Sequence, residues 1–331
     1  MRSFLTLLSL ASATVAAGTG VEAFDPSSLS LREVGARNTL TWRVWLERNG
    51  NPISWWHDIP IYPQGNASNI INMYVEIPRW TDGKLETKRD EPLNPIFHDE
   101  KKKKPRYVFS VWPQKTYPFN YGSIPQTWED STVAHNFTGF VGDNDPMDIF
   151  DISSLPPATV GQLKQVKILG GLAMIDDNTT DWKVIAIDIK DPIASKVNNL
   201  DDLESFRPGS RKSFYDCATP QYYKVIKGNG KNVIIGNKFQ DAPTMISHIQ
   251  ESHEFWLKLM RGQTKKEKIN RDQTSNPRWC KTYVASLNAT SKFGIPAKSN
   301  ILPPAERPAQ YDNWYYLDAD FNIAPGQIIN E

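Results

Sequence analysis

The stretch from Gly142 to Asp148 holds three aspartates within six residues and no basic residue. Ionised carboxylates packed this closely repel one another, so a folded chain that keeps them together needs a counter-charge. A hard divalent cation, which prefers carboxylate oxygens, supplies one. In an extended chain Asp143 and Asp145 point to the same side, and Pro146 turns the chain so that Asp148 can approach them. The spacing therefore indicates a divalent-cation site.

Other acidic residues stand next to basic partners, as in Lys84-x-Glu86 and Asp181-x-Lys183. Each pair alone is most simply a surface ion pair. Together, however, the acids suit cations, and the Lys, Arg and Tyr side chains suit a multiply anionic phosphate compound. Phosphoryl transfer depends on positioning and charge neutralisation, and adjacent cations lower the pKa of a shared water. The acidic candidates are Glu76, Glu86, Asp143, Asp145, Asp148, Asp176 and Asp181, and the basic or phenolic ones are Lys84, Arg106, Tyr121, Lys183, Tyr223 and Lys224.

Several other kinds of site fit the sequence poorly. The 38 Lys and Arg balance 37 Asp and Glu, which argues against general nucleic-acid binding. An EF-hand loop starting at Asp143 fails, because its sixth position is Asp148 rather than Gly and its twelfth is Ser154 rather than Glu. His248 and His253 are five residues apart rather than four, which favours surface or hydrogen-bonded histidines over metal ligands.

Hydrophobic alternation and turn residues predict a mainly β fold with peripheral helices (α+β). Asn49-Gly50 indicates a hairpin, and Gly170-Gly171 interrupts a strand as a bulge would. The absence of an alternating helix–strand pattern makes a doubly wound sheet unlikely, so we expect a closed or partly closed barrel. The predicted strands are Thr39–Glu47, Ile71–Ile77, Gln165–Asp176, Trp182–Ile189 and Tyr222–Lys227, and the predicted helices are Leu200–Phe206 and a longer one capped by Asp241 that ends near Met260.

The N-terminal residues 1–17 combine one Arg, a short apolar run and small residues, which is typical of a cleaved signal peptide. We therefore predict the secretory pathway or secretion, with a mitochondrial location as the alternative. The remaining residues 18–331 are predicted to be a single domain, with 265–331 an extended wrap over the core and no membrane span. The sequence leaves open whether Cys217 and Cys280 form a disulfide. N-x-S/T sequons occur at Asn66, Asn136, Asn178 and Asn288.

The acidic stretch resembles the signature of the family I soluble inorganic pyrophosphatases. Other segments resemble the eukaryotic branch of that family, and the resemblance covers roughly residues 31–262 and the Trp314 region. The segments are Gly35–Leu40, Val75–Trp80, Leu93–Ile96, Asn120–Gly122, Pro125–Asp130 and Thr180–Ala186.

The resemblance implies an OB-like five-stranded closed β-barrel that hydrolyses inorganic pyrophosphate to two phosphates. The reaction would use several Mg²⁺ ions, with Mn²⁺, Co²⁺ or Zn²⁺ as substitutes, and metal-activated water without a covalent intermediate. Asp145 would be the general base. The metal ligands or their supports would be Asp143, Asp148, Asp176, Asp181, Glu86 and Glu76, and the phosphate-binding residues would be Lys84, Arg106, Tyr121, Lys183, Tyr223 and Lys224, with Tyr117 behind them.

The resemblance also implies a homodimer with aromatic contacts, for which Arg79, Trp80 and Trp314 match, although Lys115 stands where relatives tend to have histidine. One alternative is a non-catalytic secreted protein that keeps the site for calcium or phosphate. Another is an OB-type module that binds oligonucleotides or glycans, against which the acidic cleft argues, since nucleic-acid phosphates normally meet a basic groove.

Overall fold

A computed structural model describes residues 24–65, 67–218, 232–265, 268–318 and 322–327. The predicted signal peptide, Asn66 and the predicted strand Tyr222–Lys227, with Tyr223 and Lys224, lie outside the described residues. Within the described ranges, helices long and apolar enough for a membrane span are absent.

Seventeen strands and four α-helices occur in the described residues, together with three short 3₁₀ segments. The strands are β1 Leu29–Ala36, β2 Arg43–Arg48, β3 Asn51–Ile53, β4 Ile70–Ile77, β5 Leu85–Thr87, β6 Ile96–His98, β7 Glu100–Lys101, β8 Lys104–Pro105, β9 Ser110–Val111, β10 Asn120–Ser123, β11 Asp148–Asp151, β12 Leu163–Asp176, β13 Thr179–Asp188, β14 Val233–Ile234, β15 Gln240–Asp241, β16 Asn300–Leu302 and β17 Trp314–Tyr315. The helices are α1 Leu200–Phe206, α2 Ser210–Ala218, α3 Ala242–Arg261 and α4 Ser286–Phe293.

Five strands pair in a closed ring. β4 pairs with β10, β10 with β11, β11 with β13 and β13 with β12, and β12 returns to β4. Only the β11–β13 pairing is parallel; the other four are antiparallel. The expectation of an OB-like five-stranded closed barrel is therefore confirmed. A second sheet, in the order β16-β1-β2-β6-β5 with β3 on β2, lies beside the ring.

Strand β12 can pair with several neighbouring strands because it is long and contains a bulge. Its register on β13 shifts between Ile168 and Gly170. Gly170 has φ +156, and a Cβ there would lie 2.7 Å from the carbonyl oxygen of Gln240, so β15 approaches more closely than a side chain would allow. The predicted interruption of the strand is thus a bulge that bends β12 from one barrel partner to the next.

The local signals for turns and caps agree with the structure. Asn49 and Gly50 have φ 50 and 74 and join β2 to β3. Asp241 caps α3 by accepting from the backbone N–H of Thr244 at 2.9 Å, and Gly262 ends the helix at φ 71. The predicted strand Thr39–Glu47 begins later, at Arg43, because a turn occupies its first residues.

The C-terminal segment is more structured than an extended wrap, since it contains helix α4 and two strands. β16 pairs in parallel with β1 and so adds an edge to the second sheet. β17 pairs with β9 in a separate two-stranded sheet. These pairings attach the segment to the body of the chain.

Candidate active site

Tight backbone packing positions the acidic stretch. A Cβ on Gly142 would lie 2.3 Å from the carbonyl oxygen of Glu129, so only glycine fits there. The Gly142 N–H donates to the backbone carbonyl of Asp130 at 2.8 Å. The Glu129 N–H donates to the carbonyl of Asp145, and the Glu129 carbonyl accepts from the Asn144 N–H. The stretch is therefore held between strand β11 and this neighbouring segment.

The parallel pairing of β11 with β13 joins two of the sequence motifs. Asp148 lies opposite Lys183 in the register. The ammonium of Lys183 contacts a carboxylate oxygen of Asp148 and lies 2.6 Å from Asp181 Oδ1. All three side chains are at least 86% buried. Lys183 thus lies between two carboxylates that are far apart in sequence.

A two-residue hairpin places Asp176 next to the same site. Asp176 pairs with Thr179 across the turn, and Asp177 and Asn178 adopt φ 47 and 65. These angles match the turn type that suits the twist of antiparallel strands. Because Asp181 lies on the returning strand, the hairpin brings two acidic residues to one end of the barrel.

Basic and aromatic residues form the facing wall. Lys84 Nζ lies 2.8 Å from Glu86 Oε1 and 5.0 Å from the centre of the Tyr121 ring, and Lys183 Nζ lies 5.8 Å from the same ring centre. Arg106 Nη1 donates to Asp99 Oδ2 at 2.8 Å. The wall is therefore oriented by side-chain ion pairs and by contact with an aromatic face.

Glu76 is 2% exposed and accepts from Thr87 Oγ1 at 2.5 Å. Burial raises the pKa of Glu76 to about 8, and the hydrogen bond from Thr87 opposes that rise. A carboxyl with a pKa of about 8 is largely neutral at physiological pH, and a nearby cation favours its charged form.

The structure brings all the described candidates together in one cavity of about 540 Å³. The two remaining candidates, Tyr223 and Lys224, fall outside the described residues. The cavity is lined by Glu76, Glu86, Asp143, Asp145, Asp148, Asp176, Asp181, Lys84, Arg106, Tyr121 and Lys183, and also by Tyr117.

Burial and mutual repulsion raise the pKa values of the central acids. Burial, then Asp145 and Asp181, raise the pKa of Asp143 well above its ordinary value. Burial raises the pKa of Asp181 to about 7 although Lys183 opposes it. Burial lowers the pKa of Lys183, but Asp148 and Asp181 outweigh it and leave that pKa above its ordinary value. The site carries more negative charge than its one central ammonium neutralises.

Comparison with known proteins assigns the chain to a family. The sequence profile described as inorganic pyrophosphatase matches residues 73–257. The inorganic pyrophosphatase of Kluyveromyces lactis is 41% identical over 292 residues, covering 88% of this chain and 98% of the relative. The chain belongs to the inorganic pyrophosphatase family. The corresponding protein of Schizosaccharomyces pombe is 39% identical over 298 residues, covering 88% of this chain and 98% of that one.

Solved structures show the same relationship. The inorganic pyrophosphatase of Schistosoma japonicum superposes with a TM-score of 0.77 at 34% identity, covering 87% of this chain and 99% of that one. A truncated vacuolar soluble pyrophosphatase of Trypanosoma cruzi, solved in complex with PPi, gives 0.64 at 34% identity and covers 78% and 98%. Family membership makes the chain an inorganic pyrophosphatase-type hydrolase.

Two residues of this pyrophosphatase site, Glu129 and Arg89, were not identified from the sequence. Glu129, Asp143 and Asp181 offer carboxylate oxygens within 4.8 Å of one another, and Glu129 Oε2 is buried without a hydrogen-bond partner. Arg89 donates to Asp145. The sequence did contain a hint for Glu129, since this acidic residue lies without a basic neighbour in the segment Pro125–Asp130, which resembles the family. Arg89 had none, because it lies in an ordinary run of charged residues.

Proposed function

We propose that the chain hydrolyses inorganic pyrophosphate to two phosphates in a Mg²⁺-dependent reaction that forms no covalent intermediate. The observation that carries the proposal is one cavity whose lining combines ten acidic residues, the seven candidates among them, with Lys84, Arg106, Tyr121 and Lys183. Acids alone would indicate a cation-binding protein, and basic residues alone an anion-binding one. Both together suit a substrate that arrives as a complex of phosphate and metal.

The acidic wall fits Mg²⁺. Its donors are carboxylate oxygens, which Mg²⁺ prefers, and the unpartnered Oε2 of Glu129 adds a buried acceptor beside Asp143 and Asp181. When bound, Mg²⁺ supplies charge neutralisation and lowers the pKa of water. We assign the tightest binding to Asp143, Asp148 and Asp181, further binding to Asp176 and Glu86, and a supporting role to Glu76. Mn²⁺, Co²⁺ and Zn²⁺ are proposed substitutes.

The basic wall binds the phosphates. Lys84 and Lys183 present ammonium groups 5.0 and 5.8 Å from the centre of the Tyr121 ring. Arg106 presents a planar guanidinium, whose fork geometry suits phosphate oxygens. We include Tyr223 and Lys224 in this wall on the resemblance alone, since they lie outside the described residues.

Asp145 takes the proton from the attacking water. Burial raises the pKa of Asp145 to about 6, and Arg89 opposes that rise. A general base works best when its pKa lies near the operating pH, because it is then ionised yet still basic. A pKa of about 6 meets that condition better than the ordinary value of an aspartate.

The test is phosphate release from pyrophosphate with and without Mg²⁺. We expect the native protein to be active only with the cation, and Asp145→Asn to lose about 10²–10⁴-fold in kcat, the usual contribution of a general base. Asp177→Asn is the matched control, because Asp177 lines the same cavity but has no assigned role. Metal-independent phosphate release, or full activity of Asp145→Asn, would refute the proposal.

We further propose that the protein is a homodimer that passes through the secretory route, with a mitochondrial location as the alternative. For the dimer, Trp80 and Trp314 are 54% and 46% exposed, which is unusual for such large apolar side chains. For secretion, the N-terminal residues resemble a signal peptide, and the sequons at Asn136, Asn178 and Asn288 are exposed. Mass mapping of the secreted protein for these three sites tests the route.

A further inference from the structure

A second cluster of metal-ligating side chains lies outside the active-site cavity. His135 comes from the loop that precedes the acidic stretch, and His248 and Glu251 come from one face of α3. Each offers one donor atom, and the three donors lie within 4.8 Å of one another. In the part of the chain that the structure describes, only two groups of three side chains do so, and the other is the active-site group of Glu129, Asp143 and Asp181.

Glu251 Oε2 is the centre of the second cluster. It accepts from His135 Nε2 at 2.8 Å and lies 3.5 Å from His248 Nδ1. The side chains of His135, His248 and Glu251 are 10%, 13% and 34% exposed. The two imidazoles are thus nearly enclosed, and the carboxylate leaves an open side toward solvent.

His248 turns its Nδ1 toward Glu251. That nitrogen makes only a long contact of 3.5 Å to Glu251 Oε2, so its lone pair can bind an ion when the ring proton sits on Nε2. Nε2 itself is buried and has no hydrogen-bond partner that would hold the proton elsewhere. Stacking on the Trp182 ring at 4.2 Å between centroids fixes the orientation of the imidazole. An imidazole held in this way is prepared to accept a metal ion at Nδ1.

Space is present beside both rings. A cavity of about 20 Å³ is lined by His135, His248 and Trp182 among others. That volume is enough for one water beside the two rings, and Glu251 lies outside this lining. Trp182 follows Asp181 on β13, and neighbouring residues of a strand face opposite ways, so this cavity lies behind the active-site wall.

We infer that His135, His248 and Glu251 form a binding site for one transition-metal ion of the Zn²⁺ class, separate from the catalytic cations. Two nitrogens and one carboxylate oxygen suit Zn²⁺ or Co²⁺, whereas Mg²⁺ prefers oxygen alone. With bonds of about 2.0–2.1 Å, tetrahedral donors lie roughly 3.3 Å apart. The observed separations of 2.8 and 3.5 Å bracket that value.

Binding has two identifiable costs. His135 Nδ1 accepts from the Phe137 N–H at 3.1 Å, and its Nε2 donates to Glu251 Oε2 at 2.8 Å. A metal at Nε2 moves the ring proton to Nδ1 and breaks both hydrogen bonds, at a cost of about 1 kcal/mol each. The Phe137 N–H is exposed and can bond to water instead, and Glu251 exchanges its hydrogen bond for a bond to the ion. Three ligand bonds outweigh these two hydrogen bonds.

The experiment uses the full chain with its catalytic site kept saturated by excess Mg²⁺. Co²⁺ is then titrated, and both bound cobalt by equilibrium dialysis and the visible absorption of nitrogen-ligated Co²⁺ are measured. We expect one additional equivalent in the native protein. His248→Phe, which keeps an aromatic ring on Trp182, and Glu251→Gln should each weaken it by more than about 100-fold, the upper range for losing even a supporting residue.

His253→Gln is the matched control, because it removes an imidazole from the same helix but outside the cluster. Its cobalt binding should equal that of the native protein. The inference is overturned if the native protein takes up no cobalt beyond its catalytic sites, or if His248→Phe binds the extra equivalent unchanged. Mg²⁺-dependent pyrophosphate hydrolysis should be the same in all these variants, so the result is independent of the proposed function.

Discussion

Arg89 Nη1 lies 3.0 Å from both carboxylate oxygens of Asp145. Asp145 lines the active-site cavity, and the side chains of Arg89 and Asp145 are 42% and 39% exposed. Burial raises the pKa of Asp145, and the charge of Arg89 is the largest influence that lowers it. Arg89 therefore moderates the basicity of the residue to which we assign proton transfer.

Replacing Arg89 should make the enzyme more sensitive to acid. In Arg89→Gln the pKa of Asp145 rises, so less of the base is ionised near pH 6. Because a pair this exposed is screened and worth up to about 1 kcal/mol, we expect roughly a 2–5-fold loss of kcat/KM near pH 6 and little loss near pH 8. The pH profile of kcat/KM measures it. Arg89→Lys should behave as the native enzyme, and an unshifted acidic limb in Arg89→Gln would contradict the role.

Lys183 should contribute most to the folding stability of the protein when no metal is bound. Lys183→Met leaves the buried carboxylates of Asp148 and Asp181 facing each other without their ammonium, and breaking a buried ion pair costs about 3–5 kcal/mol. Added Mg²⁺ should restore part of that loss, because the cation replaces the missing charge. Urea unfolding with EDTA and with Mg²⁺ measures both quantities. Equal losses in the two conditions would show that Lys183 and the cation do not share this charge.

Metal-free protein should lose stability as the pH rises. The pKa values of Asp145, Asp181 and Glu76 are raised to about 6, 7 and 8, so the folded chain binds protons more tightly than the unfolded chain. The corresponding stability is complete below the ordinary carboxylate range, falls progressively as the pH rises from there, and is lost by about pH 8. The Tm in EDTA should therefore fall across that window. Saturating Mg²⁺ should flatten the curve, and a Tm that rises with pH in EDTA would contradict the assignment.

The exposed tryptophans offer a test of the proposed homodimer. Trp112, Trp314 and Tyr316 contact one another at the surface, with ring centroids 4.8 and 5.7 Å apart. Trp314→Ser should shift the sedimentation of the protein from dimer toward monomer, because buried aromatic residues dominate interface energies. Leu287→Ser, which removes a side chain 79% exposed on α4, should leave the mass unchanged. A native protein that sediments as a monomer would end the proposal.

Local sequence patterns correctly predicted several turns and helix ends of the fold. The Asp241 cap, the Gly262 stop and the Asn49-Gly50 turn are each decided by a few neighbouring residues, and the structure has all of them. Barrel closure depends instead on the pairing of β12 with both β4 and β13, which joins residues far apart in sequence. The resemblance supplied that closure, because periodicity alone cannot choose strand partners.

The site divides in the same way. Asp143, Asp145 and Asp148 are recognisable from spacing, since three unpaired carboxylates demand an explanation. Arg89 and Glu129 are not, because their importance comes from the side chains that long-range packing places beside them. Alternation also failed to show that both faces of β4 are buried, with Glu76 only 2% exposed. A strand within a closed ring has a second face covered by residues that its own sequence does not reveal.

The closed ring also prevents the strands from moving apart to relieve the repulsion among the carboxylates. In an open sheet, an edge strand could move outward and let water separate the charges. Here the β11–β13 pairing fixes Asp148 beside β13, which carries both Asp181 and Lys183, and β13 is itself paired with β12, so the carboxylates cannot separate without breaking the ladder. The unrelieved repulsion instead becomes affinity for whatever cation enters. The rigidity of the barrel would thus strengthen the proposed metal binding, although the ladder hydrogen bonds themselves would not contact the metal.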